Sequence, residues 1–184
     1  MFHADIGFVP APEVMEINGS IIRPITECTD EQISKLSRGM IEMYGTRIGI
    51  TEAEEMTHYI KRNWHVSGGD SLFVMTDAET GSLNGCVAVD RKNFFPFIGN
   101  LYVVPEKRLT GLSRHLMDYA ERYVSSGLKF DKSRLWCEEA LIVFYEKRGY
   151  VEESRDAEKS LVIMVKNIPA ARRDYDQDGS YMKF

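Results

Sequence analysis

Six consecutive residues, Arg108-Leu109-Thr110-Gly111-Leu112-Ser113, carry the most chemical information in this chain. An apolar, strand-like run from Ile98 to Val104 precedes them, and an amphipathic helical pattern from Leu112 to Ser126 follows. A strand that turns through small residues into a helix presents several main-chain N–H groups at one point. The helix dipole adds positive potential there. Such a terminus is a ready anion site and suits a diphosphate. Arg108 adds a full charge, while Gly111 and Ser113 are small enough to let a ligand approach the backbone closely.

The elements that must position this turn follow from local patterns. Met1 to Gly19 contains Gly7, Pro10 and Pro12 with no clean period, and reads as an irregular arm with at most a short strand. Ser20 to Ile25 is rich in β-formers and predicts a first core strand. Thr29-Asp30-Glu31-Gln32 predicts a helix start with Thr29 as N-cap and Gln32 reciprocating. Ile33, Leu36, Met40 and Met43 then keep helical spacing up to a stop at Gly45. Thr51-Glu52-Ala53-Glu54 predicts a second capping box, opening a helix to about Trp64. Ser71–Thr76 and Gly85–Arg91 read as a hairpin around Asp77–Asn84. Ile98–Val104 is a third strand of this group, ended by Pro105. Leu112, Leu116, Tyr119, Ala120 and Tyr123 share one helix face, and Gly127 is a C-cap candidate. Ser133–Cys137 is a strand. Ala140–Arg148 is a helix closed by Gly149. Tyr150–Glu152 and Ser160–Val165 form a last strand pair. The order is β, α, α, β, β, β, α, β, α, β, β, which predicts an α/β sandwich on a mixed sheet.

Arg108-x-x-Gly111-x-Ser113 resembles the acyl-CoA loop of the GCN5-related N-acetyltransferases, the GNAT superfamily. That loop reads Gln/Arg-x-x-Gly-x-Gly/Ala directly after a strand, so Ser113 replaces the last small residue. Some thirty residues on, Leu135-Trp136-Cys137 and then Phe144-Tyr145-Glu146-Lys147-Arg148-Gly149-Tyr150 are similar to the later GNAT motif, a strand leading into a helix that ends Phe-Tyr-Glu-Lys-x-Gly-Phe/Tyr. The resemblance covers roughly Ser20 to Val165. It implies an arm at 1–19, an acetyltransferase domain at 20–168 and a polar tail at 169–184. The implied fold is a central mixed, mostly antiparallel twisted sheet flanked by helices.

The implied reaction moves acetyl from acetyl-CoA to a primary amine, with no metal. Leu101, Tyr102 and Val103 would lie along the pantetheine arm, and the Val103 N–H would hold the developing oxyanion. Arg108, Leu109, Thr110, Gly111, Leu112, Ser113 and Arg114 would grip the diphosphate. Tyr145 would protonate the departing thiolate, a task within reach of a phenol; the competing reading is an aromatic packed beside Phe144. Two departures matter. Glu138 stands where many members carry Asn, and it orients an amine, accepts its proton or is simply solvated. Phe97 stands where the histone-acetylating branch has its basic glutamate, so that base does not carry over. An alkylammonium must still lose a proton before attack, and Asp90, Glu138 and a water on Asn100 remain as candidates.

Acceptor choice in this fold falls to the first two helices and their connection, here Met43 to Glu55, with Tyr44, Arg47, Glu52, Glu54 and Glu55. A small-molecule amine is the leading acceptor. A peptide or protein amine is the alternative, favoured by a wide cleft beside Tyr102. A CoA-binding module without chemistry is the third reading. Homodimers are frequent in the family.

Bulk properties bound these readings. A chain of 184 residues, 43% hydrophobic and 28% charged, suits one globular domain. A net charge of −5 argues against general nucleic-acid binding. No stretch approaches the roughly 20 apolar residues of a membrane helix, and no Lys or Arg precedes Arg23 to open a secretory signal. Cys28, Cys86 and Cys137 are far apart and read as reduced thiols, which with the missing signal implies a cytoplasmic protein. His3, His58, His65 and His115 lack ligand spacing. Asp174-Tyr175-Asp176-Gln177-Asp178-Gly179 matches the opening of a calcium loop, but the twelfth-position glutamate is missing, so a polar tail is the better reading.

Overall fold

A computed structural model describes residues 14–64, 71–90 and 95–169. His3, His65, the Asp174–Gly179 segment and most of the arm and tail lie outside the described residues.

Eight described strands form one sheet: β1 (Met15–Ile17), β2 (Ser20–Pro24), β3 (Ser71–Asp77), β4 (Leu83–Asp90), β5 (Phe97–Val103), β6 (Lys132–Cys137), β7 (Val151–Asp156) and β8 (Leu161–Asn167). Their spatial order is β1-β2-β3-β4-β5-β6-β8-β7. Only the β5–β6 pair is parallel; every other neighbouring pair is antiparallel. The mixed sheet read from the element order, mostly antiparallel as the resemblance implies, is therefore the one observed.

Helices cover both faces. α1 (Asp30–Met40) and α3 (Ala53–Trp64) lie on one face, and α4 (Leu112–Arg122) and α5 (Ile142–Glu146) on the other. Strand alternation explains the division. Leu72, Val74, Cys86, Ala88 and Tyr102 point into the α1/α3 core, whereas Phe73, Met75, Val87 and Val89 point into the α4 core. A central strand covered on both faces has to be apolar at every position, as Leu72–Met75 and Cys86–Val89 are.

Cap chemistry sets the helix ends. Thr29 N–H donates to Gln32 Oε1 at 3.0 Å, and Gln32 N–H donates to Thr29 Oγ1 at 3.2 Å, so the expected capping box opens α1. The second one is displaced. Met56 N–H donates to the Glu52 carbonyl, which makes Glu52 rather than Thr51 the N-cap of α3. Gly45 does not stop the first helix either. The chain widens into a π-type turn over Ile41–Gly45, continues as α2 (Thr46–Ile48) and ends at the left-handed Gly49. Gly45 is small for another reason: a Cβ there would sit 2.4 Å from the Ile50 carbonyl oxygen. Gly127 likewise lies inside a widened turn that extends α4, and the left-handed residue beyond it is Lys129.

The short strand allowed for in the arm is β1. Ile17-Asn18-Gly19-Ser20 is a two-residue hairpin, with φ of 48° at Asn18 and 71° at Gly19, the type I′ pattern that Asn-Gly favours. At the far edge, all of β7 up to Arg155 is exposed, and its register against β8 shifts between Glu152 and Ser154. Glu153 pairs with Arg134, and Arg155 with Glu139 and Glu152.

Candidate active site

The site begins where two strands part. β5 and β6 pair at Phe97–Arg134 and Ile98–Leu135 and no further. The cause lies in β5. Cys86 faces Tyr102 and Ala88 faces Gly99, so Val87 opposes two residues, Asn100 and Leu101. Asn100 absorbs the extra residue with φ of 49°, a left-handed bulge that bends its strand. The buried Cys86 thiol donates to the Asn100 carbonyl at 3.3 Å and steadies the bend. β6 keeps its pairing with β8 through Cys137, so a wedge opens between the two strands.

Main-chain groups line that wedge. Val104 N–H donates to the Asn84 carbonyl on the β4 side. By alternation Tyr102 also turns its main chain to β4, and Leu101 and Val103 turn theirs to the open edge. Arg108 Nε, reaching back from the turn, donates to the Val103 carbonyl at 3.2 Å. Tyr102 instead lies with its ring on α1, where a Cβ on Gly39 would meet its Cζ at 2.5 Å. Burial and, to a lesser extent, Glu42 raise its phenol above the ordinary value.

The turn itself has the anticipated form. After β5 a 3-10 turn, Pro105–Lys107, leads to Arg108, then Leu109 (φ 65°), Thr110 and Gly111 (φ 88°), which is the N-cap of α4. Thr110 Oγ1 donates to the Lys107 carbonyl. No side chain caps α4. Among the described residues the N–H groups of Gly111, Leu112 and Ser113 have no main-chain acceptor, and the first bond back is Arg114 N–H to the Gly111 carbonyl. Among the described residues a Cβ on Gly111 would meet nothing within 4 Å. The turn is therefore an open cradle of unpaired donors at the positive end of an 11-residue helix, which fits a diphosphate.

Tyr145 lies on α5, in the core on the α4 side of the sheet. The helix end is a Schellman motif: Tyr150 N–H donates to the Tyr145 carbonyl and Gly149 N–H to the Glu146 carbonyl, with Gly149 at φ 85°. Arg148 fastens this end to α4 through Asp118 at 2.7 Å and the Arg114 carbonyl at 3.4 Å. Tyr145 is 7% exposed and packs edge-on against Phe144 and Tyr150. Among the described residues its hydroxyl has no hydrogen-bond partner. Burial, then the Cys137 thiol, push its pKa up to about 12, with Arg148 opposing. Such a phenol stays protonated throughout the physiological range. It is also less acidic than a thiol, so it suits hydrogen-bond donation to a thiolate better than complete proton transfer.

The opposite face of the wedge was only partly anticipated. Ile98, Leu135 and Cys137 point into the α4 core, so Phe97 and Trp136 point to the α1/α3 side. Their rings stack, 4.5 Å apart at 29°. Glu138 continues extended beyond β6 and forms an ion pair with Arg47 of α2. The pair bridges the helix connection to the end of β6. Asp90 lies opposite Phe97 in register, on the same face and one strand away from the wedge. The sequence singled out Arg47 and Glu138 separately; nothing local joins residues so far apart in the chain. Burial raises all three thiols, which suits packed side chains more than nucleophiles. Among the described residues no cluster of three or more potential ligands could hold a metal, and no helix is long and apolar enough to cross a membrane.

With the geometry in view, likeness to known proteins is informative. The family model described as acetyltransferase (GNAT) domain matches residues 68–152. No curated protein matches the sequence. Solved structures share the fold. A spermidine N-acetyltransferase SpeG chimera from Vibrio cholerae and hSSAT superposes with a TM-score of 0.66 at 18% identity, over 81% of this chain and 95% of that one. The V. cholerae spermidine N-acetyltransferase in complex with CoA and spermine gives 0.65 at 17%, over 81% and 95%. An acetyltransferase from Streptococcus agalactiae 2603 gives 0.62 at 16%, over 83% and 100%. The wedge, the open helix start and the motifs around Gly111 and Tyr145 all lie within residues 68–152, the stretch that the acetyltransferase (GNAT) domain model matches.

Proposed function

We propose that this protein transfers an acetyl group from acetyl-CoA to the primary amine of a small molecule. The observation that carries the reading is the parting of β5 from β6 directly ahead of the unpaired N–H groups at Gly111–Ser113. A strand edge and an anion cradle in line suit a ligand with a long amide-bearing arm and a diphosphate. In this reading Leu101 and Val103 pair with the arm. The Val103 N–H polarises the thioester carbonyl, and Arg108 with residues Leu109 to Arg114 holds the diphosphate. Tyr145 donates a hydrogen bond to the sulfur as it leaves. Holding both reactants in one wedge supplies rate by orientation.

The attacking nitrogen must arrive neutral. Glu138 is engaged by Arg47, which suits orienting an ammonium more than accepting its proton. Asp90 or a water held at Asn100 takes the proton in this scheme. Tyr102, sealed against α1 at 5% exposure, narrows the acceptor side and favours small molecules over peptides.

Thermal unfolding with and without acetyl-CoA tests the first half. Ligand at 100 times its Kd adds about 2.7 kcal/mol. Thiol release against a panel of amines tests the second. Stabilisation without release on any amine would leave a CoA-binding module; no stabilisation would remove the proposal.

A further inference from the structure

The acceptor side of the wedge has a floor, a wall and an anion. The floor is Gly99. It lies on the α1/α3 face beside the bulge, and a Cβ there would meet nothing within 4 Å among the described residues. Its φ is outside the left-handed region, so the missing side chain is not a backbone requirement but leaves room. The wall is the Phe97–Trp136 stack. Trp136 is 44% exposed although it lies on an inner strand, between β5 and β8. A large ring left open beside an empty recess is a binding surface for something flat. The anion is Glu138, two residues beyond Trp136 and on the same face, about 7 Å along an extended chain.

Glu138 already holds a cation, the Arg47 guanidinium. Both side chains are more than half exposed, so the pair is weakly held and exchangeable. A second cation lies beyond the wall, with Lys159 Nζ 6.0 Å from the Trp136 ring centroid. Lys159 is itself paired with Asp156 at 3.3 Å, so the charge open to exchange at the end of the wall is the single guanidinium on Glu138, which suits one ammonium.

We propose that the acceptor is a monoamine on a flat, apolar body, an arylalkylamine in chemical class. Its ring stacks on Trp136 over Gly99, and its ammonium replaces Arg47 on Glu138. The site thus carries its own stand-in for the substrate cation, and Arg47 must swing away before the amine is seated. This rests on the acetyl-transfer reading and adds the acceptor class. It departs from the spermidine and spermine named for the V. cholerae relatives.

The test is equilibrium binding to the full chain saturated with coenzyme A, by titration calorimetry, comparing 2-phenylethylamine with spermidine. Phenylethylamine should bind at least tenfold more tightly. Trp136→Ala should weaken it roughly tenfold, and Glu138→Gln about fivefold, with coenzyme A affinity unchanged in both. Arg47→Ala should tighten it severalfold by removing the internal competitor. Gly99→Leu should abolish amine binding while coenzyme A still binds, and it serves as the test if Trp136→Ala fails to fold. Tighter binding of spermidine, or phenylethylamine affinity indifferent to both Trp136→Ala and Gly99→Leu, overturns the acceptor class alone. A chain that binds no coenzyme A overturns the acetyl-transfer reading and this one with it.

Discussion

Replacing Tyr145 by Phe isolates one hydroxyl. The ring, which packs against Phe144 and Tyr150, is retained, and among the described residues no hydrogen bond is lost. The melting temperature should therefore move by less than about 2 °C. Catalysis should not be so tolerant. A hydrogen bond to a developing thiolate is charge-assisted and contributes about 1.5–3 kcal/mol. At 1.36 kcal/mol per tenfold, that predicts a kcat lower by roughly 10- to 150-fold. The KM for acetyl-CoA should hardly change, because the bond strengthens only as charge collects on sulfur. The pH dependence sharpens the test. A phenol pushed up to about 12 is still protonated at pH 10, so the parent enzyme should show no alkaline fall in kcat from this group below about pH 11. Steady-state thiol release from pH 7 to 10.5 measures both quantities. A Phe variant within twofold of the parent kcat would remove Tyr145 from the chemistry. A parent profile with a limb near pH 10 that disappears in the variant would refute the burial argument.

Other expectations follow from single features. Gly111→Ala places a side chain at φ 88° with no steric neighbour among the described residues, so its cost is conformational, about 1–2 kcal/mol. Denaturant melts should show that loss, and titration should show weaker coenzyme A binding as the N–H cradle distorts. Gly39→Ala gains helix propensity but drives a Cβ into the Tyr102 ring. Overpacking should win by about 1 kcal/mol, read as a melting temperature lower by a few degrees, and an unchanged value would mean that the ring can retreat. Thr29→Ala removes half of the capping box and should cost about 1 kcal/mol in urea melts. Burial raises the phenols of Tyr44, Tyr119, Tyr145 and Tyr150. The folded state then keeps protons that the unfolded chain releases near pH 10. Their contribution is intact below pH 10 and is lost as pH rises toward 12, by about 3 kcal/mol for Tyr145 alone. Urea midpoints should fall above pH 10, and a flat profile to pH 11.5 would contradict the burial.

Much of the framework was written locally. Thr29 and Gln32 are three residues apart, and Gly149 sits one helix end from Tyr145, so short-range chemistry announces both. The element order and the Arg108–Ser113 turn were legible for the same reason. Asn18-Gly19 is equally local, a two-residue hairpin turn beside the short strand of the arm. The bulge at Asn100 is not. A left-handed asparagine has no signature inside an apolar run, and the shift exists only relative to Cys86 and Ala88 across the sheet. The Arg47–Glu138 bridge and the Phe97–Trp136 stack were out of reach as well. Periodicity reports which face is buried, not which distant residue lies opposite. The proposed acceptor side is built almost wholly from such distant meetings, whereas the proposed diphosphate cradle is continuous in sequence.

The two outermost strands have a consequence for assembly. β1 is three residues long, and β7 is bent by a register shift and studded with engaged carboxylates and guanidinium groups. Neither margin offers a long, flat row of main-chain donors and acceptors for another copy to extend. Among the described strands, edge-to-edge growth into continuous intermolecular ribbons is therefore disfavoured at both margins.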